Sequence, residues 1–375
     1  MAKYNARPRK SAAYQNGKKK KKSIWKRIFP AKGDGFFEGA RKIIFIGALG
    51  CFLWFGGNVA FDYGNDLYQN YQMREKINKY VGNFDIPDDV RNDANRRVPG
   101  ILPEYIMAWN QNNDLVGHIM IPDITLPVND PKRNLFEYLV YQRLEHDGNG
   151  RLTGSNRYYL DRTPEHTYSK GGSIYADFRN RFKDGELSEN TIIYGHNMAS
   201  TGNYFTKVAS YYKEFEQFRS NKNDKHLDYY KKHPIVTFNT IYEKSDWKVF
   251  ACVLFNTDAD HGEVYKYLKP EFTSKDDFNE FILDIMDRSV LFTDVDLEYG
   301  DHILTLSTCY WPFGVETTRV VLFARKVRDG ESSAVNVEKA SYNLKFLPFD
   351  MQRRRLGNTW DGRVWNTDYL LSYDG

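Results

Sequence analysis

The chain has 375 residues, 41% of them hydrophobic and 16% aromatic, with a formal net charge of +4. That length exceeds one ordinary domain, so one domain with appendages, or two domains, is expected. The 27 Tyr and 25 Phe favour strands over a helical bundle, and the placement of charge excludes a uniformly basic protein.

Residues 1–42 hold fourteen Lys or Arg, including the run Lys18 to Lys22, against Asp34 and Glu38 alone. The remainder is net acidic. A basic tail with no core-forming pattern is expected to be disordered, and it suits either nucleic acid or an anionic membrane surface. The adjoining segment selects the membrane. Ile43 to Ala60 reads IIFIGALGCFLWFGGNVA, eighteen residues without a charge. At about 1.5 Å per residue the run covers ~27 Å, near the thickness of a bilayer's hydrocarbon core. Arg41 and Lys42 precede it and Asp62 and Asp66 come after it, so the N-terminus is expected in the cytoplasm and the rest outside. The competing reading is a cleaved signal peptide, whose apolar stretch is shorter and nearer the N-terminus.

Leu67, Tyr71, Ile77 and Val81 recur at loosely helical intervals, predicting a helix over 65–81 within a lead-in over 62–112. Strand-like runs then fall at 115–120, 125–128, 173–177, 190–195, 235–242, 246–255, 302–308 and 318–327. Their irregular spacing, with few long helices between, predicts a mostly β fold that closes as an eight-stranded barrel. Ser274 with Asp277 resembles a capping box, and Phe278, Phe281, Ile282, Ile285 and Met286 give one clear amphipathic helix to about Arg288. Residues 329–375 form an extension with Trp360, Trp365 and Arg353 to Arg355, and no role is assigned to it.

Three cysteines give no disulfide framework. Cys51 lies in the apolar span and Cys252 in VFACVLF, where burial as a small hydrophobe is the default. Cys309 instead ends the run HILTLSTC, ahead of a loop with Pro312 and Gly314 and a second run from Arg319. An antiparallel pair symmetric about Gly314 sets Cys309 opposite Arg319, Ser307 opposite Val321 and Thr305 opposite Phe323. Opposed side chains lie about 5 Å apart at Cβ, so a guanidinium reaches a group bound at the thiol. A thiolate is nucleophilic and a nearby cation favours it; arginine's fixed donors suit an oxyanion. A buried strand-end cysteine and a solvated strand arginine are the bland alternatives. Of eight histidines (His118, His146, His166, His196, His226, His233, His261 and His302), only His196 follows a strand-like run, TIIYG, into a loop. No second His, Cys or carboxylate stands at ligand spacing from it, so no metal or cofactor is expected.

TLSTC (305–309), an arginine ten residues on and the upstream NTIIYGHNM (190–198) resemble the sortase family, class B in particular. GGSIYADFRN (171–180), NDLVGHIMI (113–121) and the helix over 274–288 agree, so the similarity spans residues 65–328. The resemblance implies an eight-stranded sortase barrel over 113–328, behind a tail over 1–42 and an anchor over 43–61, on the outer face of a Gram-positive membrane. It implies a cysteine transpeptidase that cleaves a C-terminal sorting signal after Thr, holds a thioester and passes it to an amine. Cys309 would attack, Arg319 would hold the oxyanion and His196 would move the proton. Signal-binding positions carry over to Asn156, Leu160, Tyr267, Leu268 and Ser307. The partners implied are surface proteins bearing the signal, with a peptidoglycan precursor or a pilin lysine as the amine, and no nucleic acid. A secreted cysteine peptidase and a membrane-tethered scaffold are the rival classes. The sequence departs from the family at Tyr310 and Trp311, where an acidic residue often follows the cysteine, and at His118, where Trp is usual. It also carries an apparent insertion near 131–153, read as a surface loop although its DGNG loosely suggests calcium, and the long tail.

Overall fold

The apolar, β-branched runs form eight barrel strands in the computed structural model, which describes residues 24–82, 100–130, 132–134, 136–154, 156–183, 186–220, 227–357 and 360. The lysine run Lys18 to Lys22, His226 and Trp365 lie outside the described residues. The chain divides into two units, residues 1–64 and 65–375.

In the first unit a short helix α1 (Ile24–Ile28) is followed by the start of α2 (Phe36–Tyr80). Lys42 Nζ pairs with Asp34 at 2.7 Å and Arg41 with Glu38 at 2.8 Å. Beyond them Phe52, Leu53, Trp54 and Phe55 stand exposed. By length and composition α2 is able to cross a bilayer. The span and the helix expected over 65–81 both fall within α2.

In the second unit the later turns of α2 bury Met73 and Ile77, and Asn70 accepts from the Tyr138 hydroxyl at 2.8 Å. Helix α3 (Pro103–Gln111) leads to the barrel. Its strands are β1 (Leu115–Ile121), β2 (Phe136–Tyr141), β3 (Ile174–Ala176), β4 (Asn190–Tyr194), β5 (Ile235–Thr240), β6 (Asp246–Asn256), β7 (Ile303–Cys309) and β8 (Thr318–Lys326). They close in the order β1-β2-β3-β4-β7-β8-β6-β5. The β2–β3 and β4–β7 pairs are parallel and the others antiparallel.

Two expectations fail here. Residues 125–128 are not a strand. Asp123 Oδ1 accepts from the Thr125 amide at 3.0 Å and the Asp123 carbonyl from Leu126 at 3.2 Å, so a side-chain-capped turn forms between Pro122 and Pro127. The missing strand is β2, FEYLVY, inside the stretch read as a surface insertion. Only its remainder is loop, where Asp147 Oδ1 accepts the amides of Asn149 and Arg151 at 2.9 Å each. That carboxylate closes a turn.

Strand alternation sorts β6–β8 into two apolar clusters. Cys252, Leu254, Leu304, Leu306, Val320 and Leu322 join the larger, with Tyr211, Tyr212 and Phe215 of α4 (Thr206–Ser220). Val253, Phe255, Val321 and Phe323 join the second, with Phe278, Phe281, Ile282 and Ile285 of α6 (Lys275–Arg288). Helix α5 (Asp228–Lys232) lies between α4 and β5 in sequence. Ser274 caps α6 by accepting the Asp277 amide at 3.2 Å, while the Asp277 carboxylate turns back to the Thr273 amide at 2.8 Å.

The segment after β8 packs on this domain. Ser341–Tyr342 pairs with Leu291–Phe292, and α7 (Asp350–Leu356) comes next. Phe346 is fully buried with its ring 5.9 Å from Phe215, and Gln352 Nε2 donates to the Tyr212 hydroxyl at 2.9 Å. Phe346→Ala is expected to cost about 3–5 kcal/mol, read as a lower urea midpoint with an unchanged m-value.

At the β8 end away from Arg319, the fully buried Arg325 donates two bonds of 2.7 Å to Glu331 and one of 3.0 Å to Asp296. Lys248 also pairs with Glu331, and Arg328 with Asp301 and Asp296. The Arg325 hydrogen bonds, outweighing burial, hold the Glu331 carboxyl far below its ordinary range, with Lys248 adding to the effect. At Asp296 burial opposes ionisation, but the Arg328 hydrogen bond and both guanidinium charges lower its pKa. Depressed carboxylates stabilise the fold above their unfolded pKa of about 4, and the contribution fades as pH falls through the folded value. Thermal stability should therefore decline as pH drops below about 4. Glu331→Gln should lower the melting temperature at pH 7 and flatten that acid limb.

Candidate active site

The β7–β8 hairpin sets the site. Its register pairs Cys309 with Arg319, Ser307 with Val321 and Thr305 with Phe323, as symmetry about Gly314 requires. By alternation Ser307, Cys309 and Arg319 lie on the face that α6 covers further along. The helix stops short of the strand ends, so Cys309 and Arg319 are half-buried there, unlike the sealed Cys252.

His196 comes from the other side of β7. The parallel β4–β7 ladder pairs Tyr194 with Ser307; His196 lies two residues past the end of β4, and Cys309 two residues past Ser307. Two bonds tie the β4 exit to β7: Gly195 N–H donates to the Ser307 carbonyl at 3.4 Å, and Thr308 Oγ1 donates to the Gly195 carbonyl at 2.8 Å. A Cβ at position 195 would stand 2.4 Å from Ile174 Cδ1 and 2.9 Å from the Phe205 ring, so only glycine passes here. Asn197 Nδ2 donates to the Cys309 carbonyl at 3.0 Å, and the His196 carbonyl accepts the Phe205 amide at 2.9 Å.

The His196 ring is half-buried, and its Nε2 lies 2.8 Å from the Leu160 carbonyl. A carbonyl only accepts, so Nε2 carries the proton and Nδ1 is the basic nitrogen of the neutral ring. Arg319 is braced by the backbone just before it: Nη1 donates to the Thr318 carbonyl at 2.9 Å and the Glu316 carbonyl at 3.3 Å.

The five positions carried over for signal binding divide into three kinds. Leu160 and Leu268 are exposed. Ser307 and Tyr267 are buried and bonded to each other at 2.9 Å, with the Tyr267 ring stacked 4.5 Å from Phe255. They form a floor beside Cys309. Asn156 is held at both ends, donating to Asp177 Oδ2 at 2.8 Å and accepting the Phe178 amide at 2.9 Å. Its side chain fastens the segment leading to Leu160 onto the residues after β3.

Asp177, fully buried, also takes the Tyr194 hydroxyl at 2.7 Å and Arg179 Nη2 at 2.8 Å. Burial raises its pKa, yet the Arg179 hydrogen bonds and the Tyr194 hydroxyl lower it below the usual range. Asn197 and Asp177 carry no mark of a role in the sequence, although both lie in family-like segments, NTIIYGHNM and GGSIYADFRN. Nothing but three-dimensional proximity distinguishes them. Tyr310, the departure after the cysteine, donates to Glu216 of α4 and sets its ring 6.0 Å from Tyr212. Its neighbour in the loop, Phe313, lies 6.4 Å from Phe349. His118, the other departure, is buried with Nε2 3.0 Å from Glu137. Among the described residues no group of three His, Cys, Asp or Glu gathers to hold a metal ion.

A closed mixed barrel of eight strands, with helices ahead of β1 and before the cysteine strand, is the sortase architecture. The curated Sortase B of Staphylococcus aureus is 27% identical over 230 residues, covering 61% of this chain and 76% of that protein. Sortase B of Listeria monocytogenes is 26% identical over 280 residues, covering 74% and 93%. Among solved structures, a Staphylococcus aureus sortase B–substrate complex is 25% identical, covering 64% of this chain and 92% of its own, with a TM-score of 0.45. A Bacillus anthracis protein described as similar to sortase B is 25% identical, covering 69% and 96%, with a TM-score of 0.48. No family profile matches the chain. By sequence this chain is similar to the class B sortases.

Proposed function

We propose that the protein is a membrane-anchored cysteine transpeptidase acting on surface proteins that carry a C-terminal sorting signal. The observation that supports this most is the strand register, which pairs Cys309 with Arg319 on β8 and Ser307 with Tyr194, two residues before His196. The Cys309 thiolate attacks the carbonyl carbon of the signal's Thr. A C–S bond forms and the carbonyl π pair moves to oxygen, where the braced Arg319 guanidinium holds it. Nδ1 of His196 has taken the thiol proton as the thiolate formed; as the intermediate collapses the C–N bond breaks and Nδ1 gives that proton to the leaving amine, the Nε2–H staying with the Leu160 carbonyl. The incoming amine attacks the thioester, returns a proton to His196 and releases the thiolate. Leu160 and Leu268 supply apolar contacts for the bound signal.

The continuous helix α2 and the charges flanking its apolar stretch support a single-pass anchor, N-terminus in the cytoplasm and barrel outside. The acceptor is a cell-wall amine of a Gram-positive envelope. The full chain in detergent, incubated with NPxTx- and LPxTx-type peptides with and without an oligoglycine, tests this by mass spectrometry of the products. Peptide–glycine adducts are expected. Hydrolysis alone, unchanged by amine, would make it a peptidase, and transfer only to a lysine-bearing subunit would make it a pilin polymerase.

A further inference from the structure

Tyr175 is the centre of β3, and its register follows that of the site strands. It pairs with Tyr194 on β4, and Tyr194 with Ser307 on β7, so the three side chains share the face that carries Cys309 and Arg319. Two strand spacings amount to about 10 Å, and the Tyr175 ring, 5.3 Å from that of Tyr194, leans across part of this gap.

Its neighbours have their hydroxyls occupied. Tyr194 donates to Asp177 and Tyr267 bonds to Ser307. Tyr175 differs. The residue is only 8% exposed, yet among the described residues its hydroxyl makes no hydrogen bond. Burial raises its pKa, and the charges of Cys309 and Asp177 raise it further while Arg319 lowers it. The nucleophile and the guanidinium act on Tyr267 as well, but that hydroxyl is already bonded to Ser307. The Tyr175 hydroxyl is not sealed from solvent, so it is free to bond a group that enters the site.

We propose that the Tyr175 hydroxyl is a further catalytic group, donating a hydrogen bond to the oxygen of the carbonyl that Cys309 attacks, beside Arg319. This rests on the transpeptidase reading above. The bond strengthens as the π pair moves onto that oxygen and weakens as the thioester forms. No proton is transferred, because the phenol stays protonated throughout. The Tyr–Arg pair then forms a two-donor oxyanion site, with the neutral donor reached across β4 and the cationic one across the β7–β8 hairpin.

The test is Tyr175→Phe in the full chain, which keeps the ring and removes only the hydroxyl. Expected results are a melting temperature unchanged or slightly higher, an unchanged rate of Cys309 alkylation by iodoacetamide, and thioester formation slowed about 10–100-fold, mostly in kcat. Alkylation develops no oxyanion, so it separates catalysis from a disturbed thiol. If the variant acylates as fast as wild type, or loses alkylation in step with acylation, the proposal is overturned. Should wild type itself form no acyl-enzyme with any signal peptide, the transpeptidase reading fails instead.

Discussion

Cys309→Ala is expected to abolish acyl-enzyme formation, lowering turnover of a signal peptide by about 10⁴-fold or more. The sulfur is the only atom lost, and the residue is half-buried at a strand end whose backbone bonds to Asn197 and Arg319 persist. The melting temperature should therefore move by no more than a few degrees. Cys252 offers no substitute, because burial pushes its thiol pKa well above the ordinary value and no solvent reaches it. Intact-mass spectra of acid-quenched reactions check both points. Undiminished turnover in the variant would remove Cys309 from the mechanism.

The second large effect is at Arg319. Lys keeps the charge but has neither the planar fork nor the reach that lets one nitrogen bond to the Thr318 and Glu316 carbonyls while the others stay unbonded. Arg319→Lys is expected to lower kcat by about 10²–10³-fold with a smaller change in KM, since the interaction lost is made chiefly in the transition state. Steady-state kinetics with a quenched fluorescent signal peptide measure the split. A variant with near-normal kcat would leave the guanidinium with no part in holding the oxyanion.

The hairpin carrying these two residues is legible in sequence because both of its strands alternate cleanly about one turn glycine. Symmetry alone then fixes which side chains oppose each other. The helix before β7 is legible for a similar reason, a cap at Ser274 followed by an unbroken apolar stripe. Strand β2 is not. FEYLVY stands amid a stretch of Asp, Arg, Asn and Gly that reads as loop, and its partners, β1 and the parallel β3, are reached only across long connections. Pairing of that kind leaves no local signature.

The site shows the same division. Cys309, His196 and Arg319 emerge from strand ends and a family resemblance. What fixes the histidine tautomer is a backbone carbonyl, that of Leu160, and no residue type encodes it. Asn156 shows the converse. Its identity suggests peptide binding, while its actual bonds to Asp177 and Phe178 occupy both ends of the amide. Tyr175 is marked by an unmade bond, which only coordinates reveal.

The most direct measurement is to locate the covalent intermediate. Wild-type protein, mixed with a signal peptide and quenched in acid within seconds, would be digested and its three cysteine-bearing peptides weighed. The acyl mass should sit on the peptide containing Cys309 and vanish when an amine is added before the quench. Finding that mass on any other residue, or steady turnover with no adduct, would mean the three strands do not converge on a working nucleophile.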